Sequence, residues 1–354
     1  MWSQFRTATN ILFPRPPHQL INLKIFSRFL HFKLNNTFSS QSDVDSFLPW
    51  LQSKSGYQIS SLLSIKNSIY GNSLFASKYI HAGDCILKVP FTVHLTSNNL
   101  LPEVNSLLPD HVGHVARLAI VVLIEQIKGQ ESEWAPYISC LPKPGELHSA
   151  IFWSEEELEM VRPSVLYEET IELKAQLEKE YLALRPALDQ FPNLFKDIKY
   201  EDFMHAFALV ASRAWGSCKE VSLIPFADFL NHDGASREIL LSDKDKQISE
   251  VIADRDYAPG KQILVRYGNF ANFELLLGFG FALSCNKYEQ VQIRMNVSQH
   301  DPLHTMKLEL LHKHTVPIVT NTSTLDSCTK SFIIKLVLLN DFYVYKSNPY
   351  VKLC

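Results

Sequence analysis

A chain of 354 residues, 46% of them hydrophobic, is long enough to bury a sizeable core in two or three subdomains. A formal net charge of −3 without any basic run excludes the electrostatic footprint of a nucleic-acid binder. The six cysteines, at 85, 140, 218, 285, 328 and 354, form no close pair, which argues against a zinc site and a disulfide framework, and no charge-free apolar stretch spans a bilayer.

In chain order, residues 1–40 contain no Asp or Glu and alternate Arg6, Arg15, Lys24, Arg28 and Lys33 with Phe, Leu and Ile. That composition fits an organelle transit peptide, with a disordered tail as the alternative, so 1–42 are set apart from the fold. Val44, Phe47, Leu48, Trp50 and Leu51 share one helical face that ends near Gly56. The following block, Tyr70-Gly71-Asn72-Ser73 and onward to Pro90, reads as strand, tight turn and strand, with Gly83-Asp84 as the reversal. Gly71 suits a place where backbone must come close to a ligand, or simply a turn.

Residues 100–200 are helical in pattern. His114–Lys128 is apolar nearly all round and stops at Gly129, as a buried helix does. Ser154 and Glu157 form a capping box for a helix that stops before Pro163. Leu173, Leu177, Tyr181, Leu184 and Leu188 mark an amphipathic helix whose charged side is solvated. Another helix follows from 202 to 215, with Ser212-Arg213 near its end, where Arg213 can neutralise the exposed carbonyls.

Residues 221–233 run Val-Ser-Leu-Ile-Pro-Phe-Ala-Asp-Phe-Leu-Asn-His-Asp. Pro225 rules out an ordinary central strand, so a short strand, a one-turn helix and a loop are expected. Asn231, His232 and Asp233 are turn residues, yet so much apolar sequence surrounds them that they can be drawn inside to bind something. Asp228 and His232, four apart, have no third ligand in reach, and no metal is expected. Next comes a strand from 248, a type II reversal at Ala258-Pro259-Gly260-Lys261, and a return over 262–266. Tyr267 leaves that strand as the chain enters Gly268-Asn269. A short buried helix and strand (272–281), a strand (290–296), a helix (302–314) and an apolar run (332–339) complete the chain.

The Asn231-His232 block, the Tyr267-Gly268 block and the 71–90 block together resemble the three motif blocks of SET-domain protein-lysine methyltransferases, nearest to the Rubisco large-subunit methyltransferase-like group. The likeness covers roughly 47–295. It implies an α+β, β-rich SET fold with a threaded (pseudoknot) core, split by a helical insertion and followed by a helical substrate domain. The divisions would be 43–99 and 206–288 for the two SET parts, 100–205 for the insertion and 289–354 for a truncated helical C-terminal domain. The cysteine cluster that binds zinc in many SET enzymes is absent, as it is in this group.

The resemblance also implies S-adenosylmethionine as cofactor, held by Tyr70, Gly71, Asn72, Arg213, Asn231 and His232, with a protein lysine side chain as methyl acceptor. Tyr267 would be the catalytic phenol, and Phe279 and Asp228 would lie along the lysine channel, Asp228 chiefly as a brace. Two departures stand out. Ser73 replaces a second glycine common in relatives, and Phe279 replaces a frequent tyrosine, which would leave room for a higher methylation state. Histidine methylation and a SET-fold binding module without turnover remain as alternatives. A chloroplast location is expected, with the mitochondrion as the alternative, and relatives that act on the Rubisco large subunit or on fructose-bisphosphate aldolase indicate the class of substrate.

Overall fold

The computed structural model describes residues 41–217, 220–237, 240–296, 300–307, 309, 329–339 and 342–346. The transit-peptide expectation falls on residues 1–40, outside this set. The expected first helix is present as α1 (Gln41–Ser55). It buries Phe47 and Leu51, and the ring of Phe47 packs against Tyr137 and against Phe229, the latter at 5.3 Å.

The helical block is as the apolar periodicity expects. Every residue of α2 (His114–Lys128) from Leu118 to Ile124 is buried, because the helix has other elements on all sides. It packs on α4 (Tyr200–Arg213), whose Phe203, Ala206, Leu209 and Val210 form the facing stripe. Between them in sequence, α3 (Val165–Leu188) buries Leu177 and Leu184 and carries Pro186 in its last turn. Ser154 and Glu157 cap the short helix Glu155–Glu159 reciprocally.

Strands surround this block in several small sheets. β1 (Leu63–Ser68) pairs antiparallel with β2 (Gly71–Ala76) across the two-residue turn Ile69-Tyr70. The expected hairpin about Gly83-Asp84 does not form, although Gly83 has the positive φ of a reversal. Strand β3 (Cys85–Pro90) pairs instead with β9 (Ile248–Ile252), which also takes β8 (Leu240–Asp243) on its other edge. With both edges of β9 occupied, the expected return strand after the Gly260 turn has no edge to join there. It runs along β2 instead, with Gly260 N–H donating to Ala76 O at 2.8 Å and Ile263 N–H to Leu74 O at 2.9 Å.

The return segment then reaches its central partner. β10 (Leu264–Val265) pairs in parallel with β7 (Asn231–His232), and Asp233 N–H extends the ladder to Val265 O at 2.9 Å. The expected strand–turn–loop reading of 221–233 is otherwise as found. β6 (Glu220–Leu223), sheeted between β4 (Leu95–Thr96) and β5 (Trp215–Ser217), leads through Pro225 into the single turn Ala227–Phe229. Phe226, fully buried, takes φ 75° to make that entry, a backbone region costing a β-carbon-bearing residue about 1 kcal/mol or more.

Helix α5 (Asn272–Gly278) follows Tyr267, but 279–281 form no strand. The strand expected over 290–296 is present as β11 (Gln290–Asn296), but the rest of the segment assigned to a helical domain, 289–354, contributes β12 (Thr329–Leu339) and β13 (Phe342–Lys346) among the described residues, and the three join as one antiparallel sheet. The β-branched content of 329–337 (Thr329, Ile333, Ile334, Val337) favours that state. Of the expected helix over 302–314, only a first turn from 304 lies within the described residues.

Candidate active site

The parallel pair β7 and β10 brings together the two blocks that the sequence singled out. Tyr267, just past β10, donates its backbone N–H to Nδ1 of His232 at 3.0 Å, although the two residues are 35 apart in sequence. That bond requires a lone pair on Nδ1, so His232 is neutral, with its proton on Nε2. Burial, the largest influence, pulls its pKa below the ordinary 6.5 and keeps it so.

The phenol of Tyr267 donates to Leu230 O at 2.5 Å, one residue before β7. Burial raises its pKa further above the ordinary tyrosine value. Near neutral pH the group therefore keeps its proton, fixed on Leu230 O, and turns a lone pair elsewhere. Rings surround it. Trp215 stands edge-on at 5.9 Å and 89°, Phe279 lies at 5.2 Å and His232 at 5.1 Å, with Phe281 6.0 Å from His232.

Beneath this group lies a buried charge cluster. Arg213, last residue of α4, donates Nη1 to Asp228 O at 2.9 Å and stands 3.8 Å from the carboxylate, whose side chain has 0% exposure. Tyr137 donates its phenol to the same carboxylate at 2.8 Å. Burial pushes Asp228 up to about 6, while Arg213 and Tyr137 pull against it. Asp228 is thus a brace inside the core rather than a wall of the aromatic enclosure. Among the described residues, Nε of Arg213 is buried without a hydrogen-bond partner. An unused donor on a guanidinium that is already anchored is a fit for one further carboxylate.

At the start of β2, Gly71 has φ 86° and open space where a Cβ would stand, and Asn72 donates to Cys140 O at 3.3 Å. Ser73, fully buried, accepts from Nδ2 of Asn231 at 2.7 Å. This contact ties β2 to β7. Tyr70 is the outlier of the expected set: its side chain is in solvent, 63% exposed, and only its backbone N–H turns inward, to Ser68 Oγ at 3.0 Å.

Sequence reading missed the walls Trp215 and Phe281 and the brace Tyr137. Tyr137 lies in the aromatic stretch Trp134-Ala-Pro-Tyr-Ile-Ser-Cys-Leu-Pro142, and nothing local reveals a partner 91 residues away. Trp215 carried a usable signal, since a large aromatic two residues after Arg213 is placed by the end of the same helix.

No family model matches the chain. Over 293 residues it is 28% identical to the ribulose-1,5-bisphosphate carboxylase/oxygenase large subunit N-methyltransferase of Pisum sativum, which covers 75% of this chain and 57% of that one. It is 27% identical to the actin-histidine N-methyltransferase of Gallus gallus, over 70% of this chain and 44% of the relative. The chain thus spans about half the length of the curated relatives it matches. The crystal structure of the SET domain of LSMT bound to lysine and AdoHcy superposes with a TM-score of 0.69 at 23% identity, covering 84% of this chain and 68% of that one. Parallel β7–β10 pairing, flanking small sheets and helical insertion therefore make up the SET-domain fold of Rubisco large-subunit methyltransferase, the group that this chain resembles in sequence.

Proposed function

We propose that this chain is an S-adenosylmethionine-dependent protein N-methyltransferase that modifies a lysine side chain. The observation that carries the reading is the parallel pairing of β7 and β10, which sets the phenol of Tyr267 among aromatic rings and close to Arg213. The cofactor would supply a methyl group on a positively charged sulfur, and the residues of this chain hold, align and desolvate. Arg213 offers Nε to the carboxylate end, and the β2 start with Asn231 and His232 supplies the remaining contacts.

The acceptor amine has an ordinary pKa near ~10.4 and must lose its proton to attack. A dry enclosure beside a positive sulfur disfavours the ammonium form, so little acid–base machinery is needed. Tyr267, protonated and fixed, cannot be a general base here. Its oxygen lone pair orients the amine and faces the positive charge of the moving methyl, while the rings keep water out.

The second reading is histidine methylation, favoured by the similarity to actin-histidine N-methyltransferase. The walls at hand, Trp215, Phe279 and Phe281, are aromatic faces suited to an alkyl stem ending in an amine. Phenylalanine at 279 also leaves room to turn a partly methylated amine. The acidic-free leader and the plant relative support a chloroplast substrate of the Rubisco large subunit or aldolase class, and a mitochondrial location is the alternative.

The test is transfer of labelled methyl from S-adenosylmethionine into a chloroplast extract, followed by hydrolysis and mass spectrometry of the labelled band. Trimethyllysine is expected. Methylhistidine would replace the reading with its rival, monomethyllysine alone would overturn the role given to Phe279, and binding without any transfer would make the protein a binding module.

A further inference from the structure

Ser73 stands where a glycine would let the backbone approach a ligand, so its side chain calls for an explanation. The hydroxyl is fully buried and sits in a closed set of hydrogen bonds. Tyr70 N–H donates to Ser68 Oγ at 3.0 Å, Ser68 Oγ and Ser73 Oγ are 2.8 Å apart, and Ser73 Oγ reaches Gly71 O at 3.1 Å. Asn231 Nδ2 donates to Ser73 at 2.7 Å. Ser68 Oγ also lies 3.2 Å from Gly71 O, so the two hydroxyls share that carbonyl between them, one donating to it and the other to its neighbour, and in either arrangement Ser73 accepts from Asn231. The turn at 70–71 and the side chain of Asn231, 158 residues away, are then one connected unit.

The geometry points to Ser73 as a positioning residue for the cofactor. With its amide nitrogen donating to Ser73, the side chain of Asn231 is held in one orientation against β2. The same hydroxyl holds the carbonyl of Gly71 and, through Ser68, the amide of Tyr70, so the hairpin tip keeps its shape when no ligand is bound. Such preorganisation lowers the ordering cost of binding and leaves the alignment of the reacting atoms to Tyr267. A glycine at 73 would permit close approach but leave Asn231 free to rotate. This inference rests on the S-adenosylmethionine reading above.

The experiment measures S-adenosylhomocysteine affinity by calorimetry, and KM and kcat for methyl transfer, in the wild type, Ser73→Ala, Ser73→Gly, Ser73→Thr, Asn231→Ala and the Ser73→Ala/Asn231→Ala double variant. Loss of one buried hydrogen bond predicts that Kd and cofactor KM rise about tenfold in Ser73→Ala and Ser73→Gly, with kcat at saturation changed much less. Threonine, which keeps the hydroxyl, restores most of the affinity. In the Asn231→Ala background, Ser73→Ala adds clearly less than it does in the wild type, the remainder being its hold on the hairpin tip, whereas a general weakening of the sheet would add its full effect. Wild-type affinity in Ser73→Ala and Ser73→Gly, or full additivity in the double variant, overturns the assignment while the cofactor reading stands. Absence of S-adenosylhomocysteine binding by the wild type overturns the cofactor reading itself.

Discussion

At the scale of single residues, the site relies on groups whose protonation is fixed by their surroundings. Tyr267 keeps its proton because burial opposes the phenolate and Leu230 O accepts the hydrogen bond. Replacing Tyr267 by Phe removes only the oxygen, so kcat should fall about 100-fold while S-adenosylhomocysteine affinity stays close to wild type. An equal loss in both, read by calorimetry and steady-state rates, would make the ring a binding element instead. The types of these residues were legible in the sequence, since Asn231, His232 and Tyr267 are unusual within apolar blocks. The hydrogen bonds were not. The donor that pins His232 is a backbone amide, and a backbone amide leaves no trace in residue identity.

At the scale of elements, local patterning specified which segments become helix or strand better than it specified their partners. All-round apolarity marked α2, the capping box marked Glu155–Glu159, and period 3.6 marked α4. Strand pairing went astray at Gly83 and at Gly260, where the turns exist but the flanking strands join other neighbours. A turn residue reports the local φ, and it says nothing about which sheet edge is already filled. Gly280 shows the same long-range demand. It has φ 80°, and a Cβ there would stand 2.5 Å from the backbone carbon of His148, in the insertion. Ser149 secures this contact by donating its hydroxyl to Leu277 O of α5. Gly280→Ala should cost about 3 kcal/mol from backbone strain and overlap combined, measured by urea unfolding. A loss below about 1 kcal/mol would mean that the insertion and α5 can separate freely.

At the scale of the molecule, the buried ionisable groups beneath the site give its stability a pH dependence with two opposing parts. Folded His232 has a lowered pKa, so below about 6.5 the unfolded chain takes up a proton that the folded one resists, and stability is lost as pH falls. Folded Asp228 has a raised pKa, so its contribution is full below 3.8 and is lost as pH rises through about 6. Asp228→Asn imitates the neutral form, and its stability should gain on the wild type between pH 5 and pH 8, with His232 common to both proteins. Denaturant midpoints at the two pH values measure the difference, and an unchanged gap would place the charge of Asp228 outside the stability balance. The ladder between β7 and β10 also has a temporal side. Its two strands, and the serine and asparagine that join β2 to β7, are distant along the chain, and closing such long loops gives up entropy before any contact repays it. Because the phenol belongs to the last segment to leave the ribosome among these pieces, no shorter nascent product can possess the full constellation, and a newly made protein is inert until its late-synthesised portion has docked against the early one.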